Sequence, residues 1–144
     1  VGVPELRRLF DDLVRVEIAL WDAVDRRLRR DLDLPLGRAE VLRVVATTPS
    51  CRVQDVAGAL SITVGAVSKL VDRLEASGLC ARRAHPGDRR SSLLELTEEG
   101  RRVQAAAEAS MQDELGRRLG ELRGLGELAT LLAGTRAHLA DAPR

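Results

Sequence analysis

Residues 53–97 read "VQDVAGALSITVGAVSKLVDRLEASGLCARRAHPGDRRSSLLELT", and the period of the apolar residues changes within them. Over 53–60, Val56, Ala57 and Leu60 share one helical face. After "SIT", Thr63 is a good N-cap, and Val67, Leu70, Val71 and Leu74 form a second buried stripe. Gly78 stands where a left-handed C-terminal cap is expected. The spacing predicts two short helices joined by a tight turn. "LCARRA" (79–84) and "SSLLEL" (91–96) then read as two strands joined by "HPGD", with Pro86 and Gly87 at the central positions of a type II turn.

The other face of the second helix holds Gly65, Ala66, Ser68, Lys69, Asp72 and Arg73, small near its start and cationic further along. Such a face suits the major groove, because bulk near the N-terminus would hold the backbone away from the phosphates. Arg89 and Arg90 follow the turn at once, at a hairpin tip where burial does not account for them. A guanidinium is weakly hydrated and fits a narrow minor groove of strongly negative potential. Asp88 has the wrong sign for DNA. Its expected role is structural, accepting from a neighbouring arginine or backbone N–H so that the tip keeps one shape. Taken singly, each of these cations is most simply a solvated charge. Helix, turn, helix and an arginine-bearing hairpin together describe a winged helix-turn-helix.

The charge distribution agrees. From Ser61 to Ser92, six basic residues face three acidic ones, a net +3, whereas the first 33 residues carry seven Arg against eight acids and the whole chain is only +1. The middle of the chain is its basic part, and Ser61 and Arg82 join the expected DNA surface there.

Outward from this region the pattern is helical. Leu6, Leu9/Phe10, Leu13/Val14, Ile18, Trp21 and Val24 form one stripe over residues 4–30, with Pro4 at a first-turn position. "DLDLPLG" (31–37) breaks that helix, "GRAEVLRVVA" (37–46) forms another, and "CRV" (51–53) is a short extended piece. Thr97 caps a further helix with Glu98 and Glu99 in its first turn, at the positive end of the dipole. Val103, Ala106/Ala107, Met111, Leu115, Leu119 and Leu122 carry its stripe to about residue 123, and Leu125, Leu128, Leu131/Leu132 and Leu139 mark a last helix. The expected fold is therefore mainly α, a winged helix-turn-helix with long terminal helices and a small β-wing. One chain, 1–144, divides into dimerisation helices (1–34 and 101–144) and a DNA-binding region (36–100). The terminal stripes exceed what a winged domain can cover, so a homodimer is expected.

Several function classes fit poorly. Trp21 and Phe10 are the only aromatic residues, which argues against base stacking on single strands. His85 and His138 are the only histidines; no Cys/His set stands at metal spacing and no Gly-rich phosphate loop follows a strand, so neither enzyme, metal site nor cofactor is expected. Cys51 and Cys80 make no disulfide framework. In a three-stranded winged sheet they would lie on different strands, out of bridging geometry. No apolar run of about 18 residues and no signal-type start is present, and a cytoplasmic protein without a membrane partner is expected.

Residues 36–110 resemble the MarR (multiple antibiotic resistance regulator) family of transcription factors. "LEASGLCARRAHPGDRRSSLLELTEEG" is similar to the family's wing and following helix through Asp88, Arg89, Arg90, Leu94, Leu96, Thr97 and Gly100, and "SITVGAVSKLVDRLE" to its recognition helix. At "CRVQD" the chain departs from the Thr or Ser cap usual in the family. The resemblance implies a homodimer with intertwined first and last helices, bound to a palindromic operator in double-stranded DNA, usually as a repressor released by a small-molecule effector or by oxidation. It implies that Thr63, Val64, Gly65, Ser68, Lys69 and Arg73 face DNA and that Arg89 and Arg90 are wing contacts. It also implies a ligand pocket between the dimer helices and the winged domain, for which Arg15, Trp21 and Arg43 are candidates; Trp21 reads equally as core. The competing readings are a regulator that senses oxidants through Cys51 or Cys80, and a winged domain used only for protein contact.

Overall fold

Asp33 and Pro35 end the first helix where the sequence breaks. The computed structural model describes residues 2–141, and of Val3, Pro4 and Arg89 the backbone only; Val1 and 142–144, the extremities of the two expected dimerisation regions, lie outside the described residues. In chain order the elements are α1 (Val3–Leu32), α2 (Leu36–Thr47), α3 (Val53–Leu60), α4 (Val64–Ala76), β1 (Cys80–His85), β2 (Asp88–Leu96), α5 (Glu98–Leu119) and α6 (Leu125–Asp141).

Pro35, the N-cap of α2, has no side chain able to accept the free amides of that helix. Asp25 of α1 does so instead: its Oδ1 accepts from Leu36 N at 2.8 Å, while Oδ2 accepts from Arg29 Nε at 2.7 Å. Desolvation raises the Asp25 pKa, but the Leu36 N–H and the Arg29 guanidinium outweigh it and leave the carboxyl below the ordinary aspartate value. A folded-state pKa below the unfolded one contributes stability that is present at neutral pH and lost as pH falls through the folded value. Asp25→Ala is therefore expected to melt below wild type at neutral pH, with the gap narrowing once acid protonates the wild-type carboxyl. Melting curves across that range check this, and a gap independent of pH would contradict it.

The core is aliphatic, as a chain with two aromatic residues requires. Leu28 of α1, Val41 and Leu42 of α2, Val56 of α3, and Val67, Val71 and Leu74 of α4 are fully buried, with Leu94 and Leu96 of β2 and Ala107 of α5 closing the cluster. Burial of each large side chain contributes about 1.5–3 kcal/mol. That packing fixes α4 against α2 and α3 and leaves its other face outward.

Local caps set the helix ends. Thr63 Oγ1 accepts from Ala66 N at 3.1 Å. At the far end, Gly78 has φ +72°, its N–H donates to Glu75 O at 2.9 Å, and Leu79 N–H donates to Leu74 O at 2.9 Å. This is the Schellman closure, and the left-handed backbone it needs favours glycine. Helix α3 lacks a Ser or Thr cap; in its place Arg52 N–H donates to Asp55 Oδ2 at 2.8 Å, half of a capping box. Thr97 joins two elements: Oγ1 accepts from Gly100 N at 2.9 Å and donates to Gly78 O at 2.6 Å. There α5 runs so close to the preceding loop that a Cβ on Gly100 would stand 1.8 Å from Leu79 O.

The sheet has two antiparallel strands, β1 and β2, rather than three. "CRV" forms no strand; Cys51 O accepts one hydrogen bond from Leu94 N at 2.7 Å. The cause is local: the chain turns at Ser50, with φ 50°, and α3 begins at Val53, leaving too few residues for a ladder.

Two apolar surfaces have no cover in the protomer. Leu9 (55%), Phe10 (59%) and their stripe-mates along the first half of α1 are exposed, and α6 buries none of its residues, with Leu131 68% exposed.

Candidate nucleic-acid interface

On α4, Gly65, Lys69 and Arg73 are exposed, as are Val64 and the cap residue Thr63, while Ser68 is half-buried. Space around Gly65 is open. Among the described residues, neither the Lys69 ammonium nor the Arg73 guanidinium has an acidic partner within ion-pair distance. Both cations stand free at the surface. Ser61 ends α3 through its backbone, in left-handed conformation with φ 54°.

The hairpin departs from its expected form. His85 pairs with Asp88 and Ala84 with Ser92, so Arg89, Arg90 and Ser91 have no opposite residue. The two arginines therefore occupy a bulge in the outgoing strand, not the tip of the turn. A bulge bends its strand and re-aims side chains. Gly87 lacks the left-handed φ that a type II turn demands; its N–H donates to His85 Nδ1 at 3.0 Å, which closes the turn. Asp88 Oδ1 accepts from Arg90 N at 2.9 Å and so braces the bulge. Arg90 is exposed, and the side chain of Arg89 lies outside the described residues.

Arg82 behaves differently from the other basic residues of this region. Its guanidinium turns toward α4, bonding Asp72 Oδ1 at 2.8 Å, Glu75 Oε1, and Ser68 O at 3.4 Å. Arg83 pairs with Glu95 across the strands at 2.7 Å.

A cavity of about 270 Å³ opens between α1, α2 and α5, walled by Trp21, Val24, Leu36, Met111 and Leu115 with Glu17 and Glu40. Of the three residues proposed for a pocket, Trp21 lines it. Arg43 reaches it only through Glu40, which it holds by Nε–Oε1 at 3.2 Å and Nη2–Oε2 at 2.9 Å. Arg15 is not in its wall. The other wall residues escaped the sequence reading because three separate elements supply them and no single helical period marks them.

Both cysteines are buried. Cys80 pairs with Leu96 on one edge of β2, and Cys51 meets Leu94 on the other. Burial pushes the Cys51 thiol up to about 11 and also raises Cys80; protonated thiols are poor nucleophiles. Among the described residues, no three His, Cys, Asp or Glu are grouped to hold a metal ion, and no helix is long and apolar enough to cross a membrane.

A helix pair whose second member presents an open, cationic face beside a two-stranded hairpin defines a winged helix-turn-helix. Solved structures share that fold along nearly the whole chain. The transcriptional regulator BldR from Sulfolobus solfataricus superposes with a TM-score of 0.87 at 22% identity, over 96% of this chain and 99% of that one. Sco3205, a MarR family transcriptional regulator from Streptomyces coelicolor in complex with DNA, gives 0.86 at 23%, over 100% and 91%. CouR from Rhodococcus jostii RHA1 bound to p-coumaroyl-CoA gives 0.79 at 27%, over 92% and 91%, and the transcriptional repressor CouR bound to a 23-mer DNA duplex gives 0.81 at 28%, over 97% and 98%. No curated protein sequence matches the chain. Residues 34–92 match the MarR family model, and the chain shares its fold with MarR-family transcriptional regulators such as Sco3205.

Proposed function

We propose that the protein is a transcriptional repressor that binds a palindromic operator in duplex DNA as a homodimer, with α4 in the major groove and the bulged hairpin against the flanking backbone or minor groove. One observation carries the reading. Among the described residues, Lys69 and Arg73 have no acidic partner; they stand exposed on α4, a helix capped at Thr63, and the hairpin joined to α4 through Arg82 carries the exposed Arg90 in its bulge. The structures of CouR, a relative of similar length, include one with DNA and one with an acyl-CoA thioester, which supports both a DNA partner and a small-molecule effector. The cavity beside Trp21 is the place for that effector. Helix α6 and the first half of α1 form the dimer surface, because a second copy covers the apolar stripes that one protomer leaves bare. Such a regulator works in the cytoplasm without a metal or cofactor.

Sedimentation at several concentrations together with a salt titration of duplex binding tests the reading. The expected result is a dimer whose log affinity falls steeply with log salt. A flat salt response would favour a winged domain used for protein contact, and a monomer at all concentrations would remove the twofold arrangement. The buried thiols predict that peroxide leaves DNA binding unchanged.

A further inference from the structure

Asp72 and Glu75 present a difficulty for a helix that lies against phosphates. Gly65, Ser68, Lys69 and Asp72 stand at i, i+3, i+4 and i+7, one face of α4, so a carboxylate lies in line with the groups that approach DNA. Along α4 alone, Lys69 and Arg73 are cancelled by Asp72 and Glu75. Like charges brought together across an interface are strongly unfavourable.

Arg82, on β1, meets both carboxylates at once. Nη2 reaches Asp72 Oδ1 at 2.8 Å and Ser68 O at 3.4 Å, and Nη1 bonds Glu75 Oε1. These acceptors span residues 68–75, about two turns of helix, and a planar fork of fixed donors can serve them together where a lysine ammonium cannot. Both terminal nitrogens are committed, and the side chain is only 27% exposed. Arg82 is also the register partner of Leu94, whose N–H holds Cys51 O at 2.7 Å. The same point of the hairpin is thus tied to α4 on one side and to the start of α3 on the other.

We propose that Arg82 is a positioning residue of the interface and not a phosphate contact: it masks Asp72 and Glu75 on the recognition helix and pins the hairpin to that helix. This rests on the DNA reading above.

A double-mutant cycle tests it with labelled duplex DNA of mixed sequence as the probe. Arg82→Met is made in the wild-type background and in the Asp72→Asn/Glu75→Gln background, and melting curves establish that the four proteins are folded. Masking predicts that Arg82→Met weakens binding about tenfold when the carboxylates are present and less than about twofold when they are neutral. Direct binding of a phosphate by Arg82 predicts equal losses in both backgrounds, each with the salt slope reduced by about 0.9 for every phosphate left without its cation, and that result would overturn the assignment. Should Arg82→Met fail to fold beside the intact carboxylates, Arg82→Lys replaces it, with loss again expected only where the carboxylates remain. A folded wild type that binds no duplex at any salt concentration would instead overturn the DNA reading itself.

Discussion

Lys69→Ala/Arg73→Ala is expected to weaken duplex binding by about 100-fold or more near physiological salt while leaving the fold intact. Neither side chain has an acidic partner among the described residues, so their removal breaks no ion pair and changes stability by no more than about 0.5 kcal/mol. Their effect lies in the complex. In the proposed dimer, loss of these two cations from each protomer reduces the salt slope by about 0.9 for each phosphate contact, or about 3.6 in total. Fluorescence anisotropy at several salt concentrations measures both quantities. An affinity within about twofold of wild type at every salt concentration would show that the outward face of α4 does not meet the phosphates.

Gly100→Ala is expected to have the largest effect on folding. A Cβ at this position would meet Leu79 O at 1.8 Å and Leu79 C at 2.8 Å, and both are backbone atoms that cannot swing aside like a side chain. Relief requires the start of α5 to move off the loop, and such movement breaks the bonds from Thr97 Oγ1 to Gly78 O and from Thr97 N to Leu79 O. Overpacking together with the breaking of these bonds costs about 3 kcal/mol or more, which lowers the melting temperature by roughly ten degrees in a chain of this size. Gly116→Ala, in the same helix, is the control: nothing stands within 4 Å of its added Cβ, and alanine there stabilises by up to about 1 kcal/mol. Thermal melts of the two variants give opposite signs if the close approach is real. Equal shifts would show that α5 and the loop give way freely.

What could be read from the sequence follows the range of the interactions. Capping is local chemistry, so Thr63, Gly78 and Thr97 were legible from a few neighbours, and with them the ends of α4 and the start of α5. The aliphatic stripe of Val67, Val71 and Leu74 was legible because a helix repeats it. Strand register is not local. Whether Arg89 and Arg90 sit on a tip or in a bulge depends on which residue of β1 each residue of β2 faces, and His85 pairing with Asp88 decided it. The type II turn failed for the same reason, since the bulge and the His85 ring together close the hairpin without a left-handed glycine. Arg82 looked like one more cation in a basic segment, because its carboxylate partners lie seven and ten residues back on another element. The third strand was lost to a tight turn at Ser50 that a short extended piece does not announce.

In the proposed complex, α4 and the bulged hairpin form one DNA-facing surface, repeated by a twofold axis through α1 and α6. Selection of bound duplexes from a random DNA pool tests it most directly. The expected result is enrichment of an inverted repeat with half-sites about one helical turn apart, centre to centre. Enrichment of single, unpaired half-sites, or of no duplex at all, would contradict it.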